Sequence, residues 1–214
     1  MQNLGSTPLI DWTFKFCDAF NRKKGNVKFV LITNIDDAKD LANTYGCIDT
    51  SMFRPESLCG DECTVEDLLL YVLRHAGNHE SAPKIVGVLQ PTSPFRKLED
   101  LQKCLELISD PKVDGVIGVS RPFQEPHDCV YGNEKGFSFV LQRPQTVRRQ
   151  QFQDTFYING AIYLAKSKKL LNGSSLSNPN FKLVEMSPLS GIDIDNPSDL
   201  DLARAVANGM DWNF

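Results

Sequence analysis

The chain has little histidine, three among 214 residues, and no long apolar run. No stretch approaches the roughly 20 residues that span a bilayer, and the N-terminus lacks a signal-peptide pattern. These absences point away from membranes and to the cytosol. Basic residues are not in excess: 23 Lys and Arg stand against 27 Asp and Glu, a net charge of −4. A nucleic-acid binder carries a basic patch, so that class is set aside. Six cysteines are scattered, and only Cys59 and Cys63 lie close together. No second pair completes the four ligands of a structural zinc, so the thiols read as buried. His75 and His79 could share a helix face, but Gly77 and Asn78 between them end the helix and argue against a metal there. Internal repeats and low-complexity segments are missing as well.

What is present is the composition of a packed globular protein, with 41% hydrophobic and 23% charged residues over a length that suits one large domain. Residues 85–89 (Ile85-Val86-Gly87-Val88-Leu89) are apolar or small without alternation, as in a strand buried on both faces. Further strands are expected at 27–33, 115–119, 161–165 and 182–186, with a short one at 47–52. Between them lie helical patterns. Pro8 opens a helix carrying Ile10, Trp12, Phe16, Cys17 and Phe20. Asp36 and Asp37 precede a helix over 38–44, and Thr64 caps one over 65–75. Leu98, Leu101, Cys104, Leu105 and Ile108 share one helix face. Strands alternating with helices predict an α/β fold with a mostly parallel, Rossmann-like sheet. The alternation stops over 121–158, where Gly132-Asn133 marks a turn and Phe137-Ser138-Phe139 alternates as in a hairpin arm. One domain over 1–214 with an arm at 121–158 is the expected organisation.

Three stretches carry chemistry. After residue 89, Gln90 offers an amide, Thr92 and Ser93 hydroxyls and Arg96 a fork of donors, on a loop stiffened by Pro91 and Pro94. Ligands of open α/β sheets bind just outside the carboxyl ends of strands, so this loop is a candidate site. Otherwise it is a Pro-rich turn. In Gly191-Ile192-Asp193-Ile194-Asp195-Asn196-Pro197, strand geometry turns Ile192 and Ile194 to the core. Asp193 and Asp195 then share the other face, their Cα atoms about 6.5 to 7 Å apart. That spacing suits two carboxylates on a hydrated Mg²⁺ that also takes substrate phosphates. The other reading makes Asp195 or Asn196 the cap of a last helix and Asp193 a solvated side chain. The third stretch sets Arg148 and Arg149 ahead of Phe156-Tyr157-Ile158-Asn159-Gly160. Arginine recognises carboxylate or phosphate through paired donors, and Gly160 lets backbone approach a ligand closely. It also reads as a surface loop entering a strand.

Together these stretches resemble the acylneuraminate cytidylyltransferase family. The matching pieces are Leu89-Gln90-Pro91-Thr92-Ser93-Pro94, then Arg149-Gln150 leading to Asn159-Gly160-Ala161-Ile162-Tyr163, and Ile192-Asp193-Ile194-Asp195 with Asp199-Leu200 behind it. Pro8-Leu9-Ile10-Asp11-Trp12-Thr13 and Arg54-Pro55-Glu56 match more weakly. In order and spacing the pieces cover nearly the whole chain.

The resemblance implies a fold of the nucleotide-sugar transferase type and a reaction: CMP passes from CTP to a nine-carbon, sialic-type sugar acid, and pyrophosphate is released. It implies that Asp193 and Asp195 hold Mg²⁺ and are catalytic. It further implies that Gln90, Thr92, Arg149, Tyr157 and Asn159 meet the sugar acid and that Arg54 lies near the cytidine. The family pairs into homodimers through an arm, here residues 121–158. Three departures accompany the match. Asn34 follows Thr33 where many members have Asp. Tyr157 stands where many have Arg. The family also opens with an apolar strand and a phosphate-gripping loop, whereas this chain starts after them. Residues 27–33 and 85–89 are therefore expected to flank a strand the sequence does not contain. Two readings stay open: an active cytidylyltransferase, or a non-catalytic homologue that binds a sugar acid or pairs with an intact subunit.

Overall fold

The computed structural model describes residues 1–25, 27–60, 62–76, 83–141 and 153–210. A tight hairpin of β1 (Asn3–Leu4) and β2 (Thr7–Pro8) leads into α1 (Leu9–Lys24). Pro8 precedes the helix where its missing N–H leaves no bond unmade. Then come β3 (Phe29–Val30), α2 (Asp36–Asn43), β4 (Ile48–Asp49), α3 (Val65–His75), β5 (Ile85–Val88), α4 (Leu98–Ile108) and β6 (Gly115–Ser120). The hairpin β7 (Val130–Asn133) and β8 (Gly136–Phe139) interrupts the alternation, as the sequence indicates. β9 (Tyr157–Lys166), α5 (Ser167–Leu171), β10 (Phe181–Glu185) and α6 (Pro197–Gly209) complete the chain. Thr64 caps α3 in a full capping box with Asp67.

The main sheet has the order β10-β6-β9-β5. β10 runs parallel to β6, whereas β9 is antiparallel to both β6 and β5. Three of the four strands therefore run one way and β9 opposes them. The fold is α/β with a mixed sheet. Side chains alternate across it. Val116, Ile162 and Leu164 join Phe16, Phe20 and Leu101 beneath α1 and α4. Ile117, Val119 and Val86 join Leu69 and Leu73 of α3. Helices thus cover both faces, and burying whole aliphatic side chains this way contributes about 1.5 to 3 kcal/mol each.

β3 and β4 form a separate parallel pair. The strand expected over 27–33 shrinks to two laddered residues; beyond them Leu31 donates to the Asp49 carbonyl and Thr33 makes one bridge to Phe53. Among the described residues β3 pairs with β4 alone and β5 with β9 alone. Yet Phe29 and Ile85 pack on the same core, and Gly87 in β5 is exposed. Two strands that share a core but no ladder each keep an open edge. The thiols are also less uniform than expected. Cys17 and Cys104 are buried, which pushes each up to about 12, but Cys59 and Cys129 are exposed in loops. No helix among the described residues is long and apolar enough to cross a membrane.

The β3–β4 pair carries an acid-sensitive tie. The Lys28 ammonium, 2.8 Å from Asp49, and the Ser51 amide hold the Asp49 carboxyl down to about 2. An acid with a depressed folded value stabilises the fold above its unfolded value of about 4, and that contribution is lost as pH falls toward 2. Lys28 is largely exposed, so solvent screens the pair and the effect is small. Thermal unfolding should find the wild type more stable than Asp49→Asn near about pH 6, with the gap roughly halved by about pH 3 and nearly closed at about pH 2. An equal gap throughout would show that the pair contributes nothing.

Candidate active site

The loop after β5 is held from below. Phe95 is fully buried in a cluster with Leu4, Ile192, Leu200 and Ala203, and Trp12 meets it edge-on at 5.6 Å. The Ser93 amide closes a turn onto the Gln90 carbonyl at 3.2 Å. Arg96 corrects the sequence reading, which put its fork at the ligand. Its side chain is instead wholly buried. Nη1 donates to Thr13 Oγ1 of α1 (3.1 Å), Nη2 donates to the Gln90 carbonyl, and the guanidinium lies 5.6 Å from the Phe16 ring centre.

Residues 191–195 form no strand, contrary to expectation. A turn over 188–191 runs into extended chain, and a single ladder-like bond ties it to the neighbouring loop, from Ile194 N to the Thr92 carbonyl (2.9 Å). The expected alternation survives because the Phe95 cluster takes Ile192 and Ile194, leaving Asp193 half-buried and Asp195 exposed. The helix cap is Asn196, which accepts from the Ser198 and Asp199 amides at 2.9 and 3.1 Å. Asp199 reciprocates, accepting from the Asp195 and Asn196 amides at 3.0 Å each. Asp195 is therefore not the cap. The charge of Asp193 first, then burial and Asp199, raise the Asp195 carboxyl above its ordinary range. Two interacting carboxylates are an all-oxygen donor set that a hard divalent cation would relieve. Among the described residues no cluster of three or more acidic, histidine or cysteine side chains could hold a metal. Substrate phosphates and water would complete the shell, as they do for Mg²⁺.

β9 supplies the third wall. Opposite β6, Ile117 pairs with Tyr163 and Val119 with Ile158, so residues 159–162 bulge against Gly118 alone. Bulges of this kind re-aim chain next to active sites. Gly160 in the bulge has φ +73, the left-handed region that favours glycine. A Cβ there would lie 2.6 Å from Gln90 Oε1, 3.1 Å from Asp193 Oδ2 and 3.3 Å from Ser93 Oγ. The loop after β5, the bulge and the Asp segment thus converge on Gly160, where the lack of a side chain lets all three approach. Ser93 Oγ is within donating distance of both the Asn159 carbonyl (3.2 Å) and Asp193 Oδ1 (3.3 Å).

The other anticipated residues are placed as follows. Thr92 is half-buried, its carbonyl fastening Ile194. Asn159 is 1% exposed: its amide donates to Ser120 Oγ (3.0 Å) and its Oδ1 accepts from Ala161 N (3.1 Å), so the side chain braces the bulge. Tyr157 is half-buried and donates to the Gly191 carbonyl at 2.9 Å, which ties the start of β9 to the Asp segment. Burial raises its pKa, a bond with Ser120 offsets part of this, and the Asp193 charge adds to it. Burial, and after it the Asp193 charge, raises Tyr163 as well. Arg54 closes its own loop, its Nε and Nη2 donating to the Leu58 carbonyl at 2.9 and 2.5 Å. Arg148, Arg149, Gln150, Gly77, Asn78 and His79 lie outside the described residues. Sequence reasoning noted Ser93 without giving it a role and missed Ser120. Both sit where strands β5 and β6 end, which is the positional signal that would have found them.

No family model matches the chain. A CMP-N,N'-diacetyllegionaminic acid synthase of Legionella pneumophila is 30% identical over 191 residues, covering 84% of this chain and 77% of that protein. The chain belongs to the acylneuraminate cytidylyltransferase family. An N-acylneuraminate cytidylyltransferase of Streptococcus agalactiae is 28% identical over 153 residues, 71% of this chain and 36% of that protein. This cytidylyltransferase family member therefore spans about a third of the length of such relatives. A solved CMP:2-keto-3-deoxy-manno-octonic acid synthetase complexed with CTP superposes with a TM-score of 0.65 at 17% identity, over 97% of this chain and 90% of that one. At that identity the likeness carries the fold, an α/β nucleotidyltransferase fold.

Proposed function

We propose that this chain transfers CMP from CTP to a nonulosonic, sialic-type sugar acid and releases pyrophosphate. The observation that supports it most is the convergence at Gly160, where an amide, a hydroxyl and a carboxylate from separate segments lie 2.6 to 3.3 Å from where a Cβ would sit. The names of the relatives support the same reaction class. In this reading the anomeric hydroxyl of the sugar acid attacks the α-phosphorus of CTP. An oxygen–phosphorus bond forms, the α–β bridging bond breaks, pyrophosphate leaves and the hydroxyl proton passes to solvent. The chain's part is positioning and charge. Gln90 and Thr92 meet the sugar acid beside Gly160. Tyr157 and Asn159 hold that wall in place, and Arg149 pairs with the substrate carboxylate through its fork. Arg54 shapes the loop on the cytidine side. Asp193 and Asp195 would hold Mg²⁺, which when bound supplies the charge that phosphate transfer needs.

The hairpin β7–β8 is the proposed dimer arm. Tyr131 and Phe137 are 67% and 71% exposed, and a second copy would cover them. Incubation with CTP, Mg²⁺ and a panel of nonulosonic acids tests the activity, with pyrophosphate and the CMP-sugar as readouts. Both products, in equal amounts, are expected. The second reading is a non-catalytic homologue that binds a sugar acid or pairs with an intact subunit; among the described residues β3 and β5 each pair on one side alone, which leaves an edge for such a subunit. Saturable sugar-acid binding with no pyrophosphate would establish that reading and overturn the first.

A further inference from the structure

Arg96 is the most unusual buried group in the molecule. Among the described residues no carboxylate pairs with it, and its Nε has no hydrogen-bond partner. A buried charge without an acid beside it is unfavourable, and an apolar side chain of similar volume would fill the same space without that penalty. What an apolar side chain cannot do is donate. Arg96 spends its two terminal nitrogens on Thr13 Oγ1, in α1, and on the main-chain carbonyl of Gln90. That carbonyl also receives the Ser93 amide at 3.2 Å, so one oxygen anchors the whole turn. The turn carries Gln90 Oε1 and Ser93 Oγ up against the bare backbone of Gly160.

We propose that Arg96 is a positioning residue that fixes the Gln90–Ser93 turn from within the core and so sets where the Gln90 amide meets the sugar acid. The proposal rests on the reading of that site as the sugar-acid subsite. Its geometry is specific. The planar fork spans α1 and the strand-end loop with two separate bonds, which a lysine ammonium on a flexible stem does not reproduce. The Phe16 ring centre lies 5.6 Å from the guanidinium, within reach of a cation–π attraction. Burial pulls the Arg96 pKa down to about 10, with Cys17 and Asp193 opposing that fall, so the fork stays charged and donating at neutral pH.

Two measurements on the intact chain separate this role from plain packing. The first needs no turnover: amide hydrogen exchange of the segment holding Ser93. Arg96→Met should speed exchange there by about tenfold or more, while exchange in α3 and β6 stays at the wild-type rate. The second is steady-state kinetics. Arg96→Lys should raise KM for the sugar acid by about tenfold or more, leave KM for CTP within about threefold and shift the melting temperature little. Thr13→Val, which removes only the distal acceptor, should give a smaller change of the same kind. Equal rises in both KM values, tracking a fall in melting temperature, would make Arg96 a packing residue and overturn the proposal. So would unchanged exchange at Ser93 in a folded Arg96→Met chain. If the wild type makes no pyrophosphate, the transferase reading fails, while the exchange experiment still decides whether Arg96 holds the turn.

Discussion

Asp193→Asn and Asp195→Asn should each lower pyrophosphate release at saturating CTP and Mg²⁺ by on the order of a hundredfold or more. Asparagine keeps the shape and an acceptor oxygen, so Ser93 Oγ can still lie 3.3 Å from position 193. What is removed is charge, at the place where the phosphates of CTP need a neutralised, oriented partner. The same substitutions should leave the fold intact. Neither carboxylate caps α6, which Asn196 does, and the two acids raise each other's energy rather than lower it. Asp193→Asn removes both the repulsion of Asp195 and the attraction for the buried Arg96, so the melting temperature at neutral pH should change little, and it returns the Asp195 carboxyl toward its ordinary range. Carbon-detected NMR titration of Asp195 reads that shift without any turnover. Near-normal rates in both variants would reduce the pair to solvated side chains beside a helix cap.

The sequence made the frame legible because its signals are local. The capping box at Thr64 and Asp67 and the apolar face over 98–108 each depend on neighbours along the chain, and each stands where expected. The turn expected at Gly132-Asn133 falls two residues later, at 134–135, because Gly132 and Asn133 pair with Phe137 and Gly136 in the hairpin. The strand over 27–33 is short because a ladder needs a second strand, and among the described residues Ile48 and Asp49 alone supply one. The reversed direction of β9 has no local signature at all, since antiparallel insertion between β6 and β5 is a property of the assembled sheet. At the site the split is the same. Residue types are readable, so Gln90, Asp193 and Gly160 stand out from the sequence alone. Side-chain direction is not. Arg96 and Asn159 look alike to Gln90 in sequence, as polar groups at a strand end, yet both point inward. The turn at Gln90 and the bulge over 159–162 decide that, and both are set by tertiary pairing.

Gly160→Ala should abolish most activity while the chain still folds. Two effects act at this position. Alanine in the left-handed region costs about 1 to 2 kcal/mol in the backbone. The new methyl also sits 2.6 Å from Gln90 Oε1, 3.1 Å from Asp193 Oδ2 and 3.3 Å from Ser93 Oγ. Gln90 Oε1 is the far end of a flexible side chain and can swing away. Ser93 and Asp193 are tied to each other and to Asn159, so they yield less. Strain and crowding together should destabilise by about 1 to 3 kcal/mol, a drop of roughly 2 to 10 °C in melting temperature for a chain of this size. Turnover should fall by on the order of a hundredfold, because displacement of reacting groups by about 1 Å is enough for a loss of that size. Gly160→Asn separates the two effects, since asparagine tolerates the left-handed region better than alanine yet brings the same Cβ. It should recover part of the stability and none of the activity. If Gly160→Asn restores turnover along with melting temperature, backbone strain was the whole effect, and the space beside Gln90 and Asp193 is not where the substrate sits.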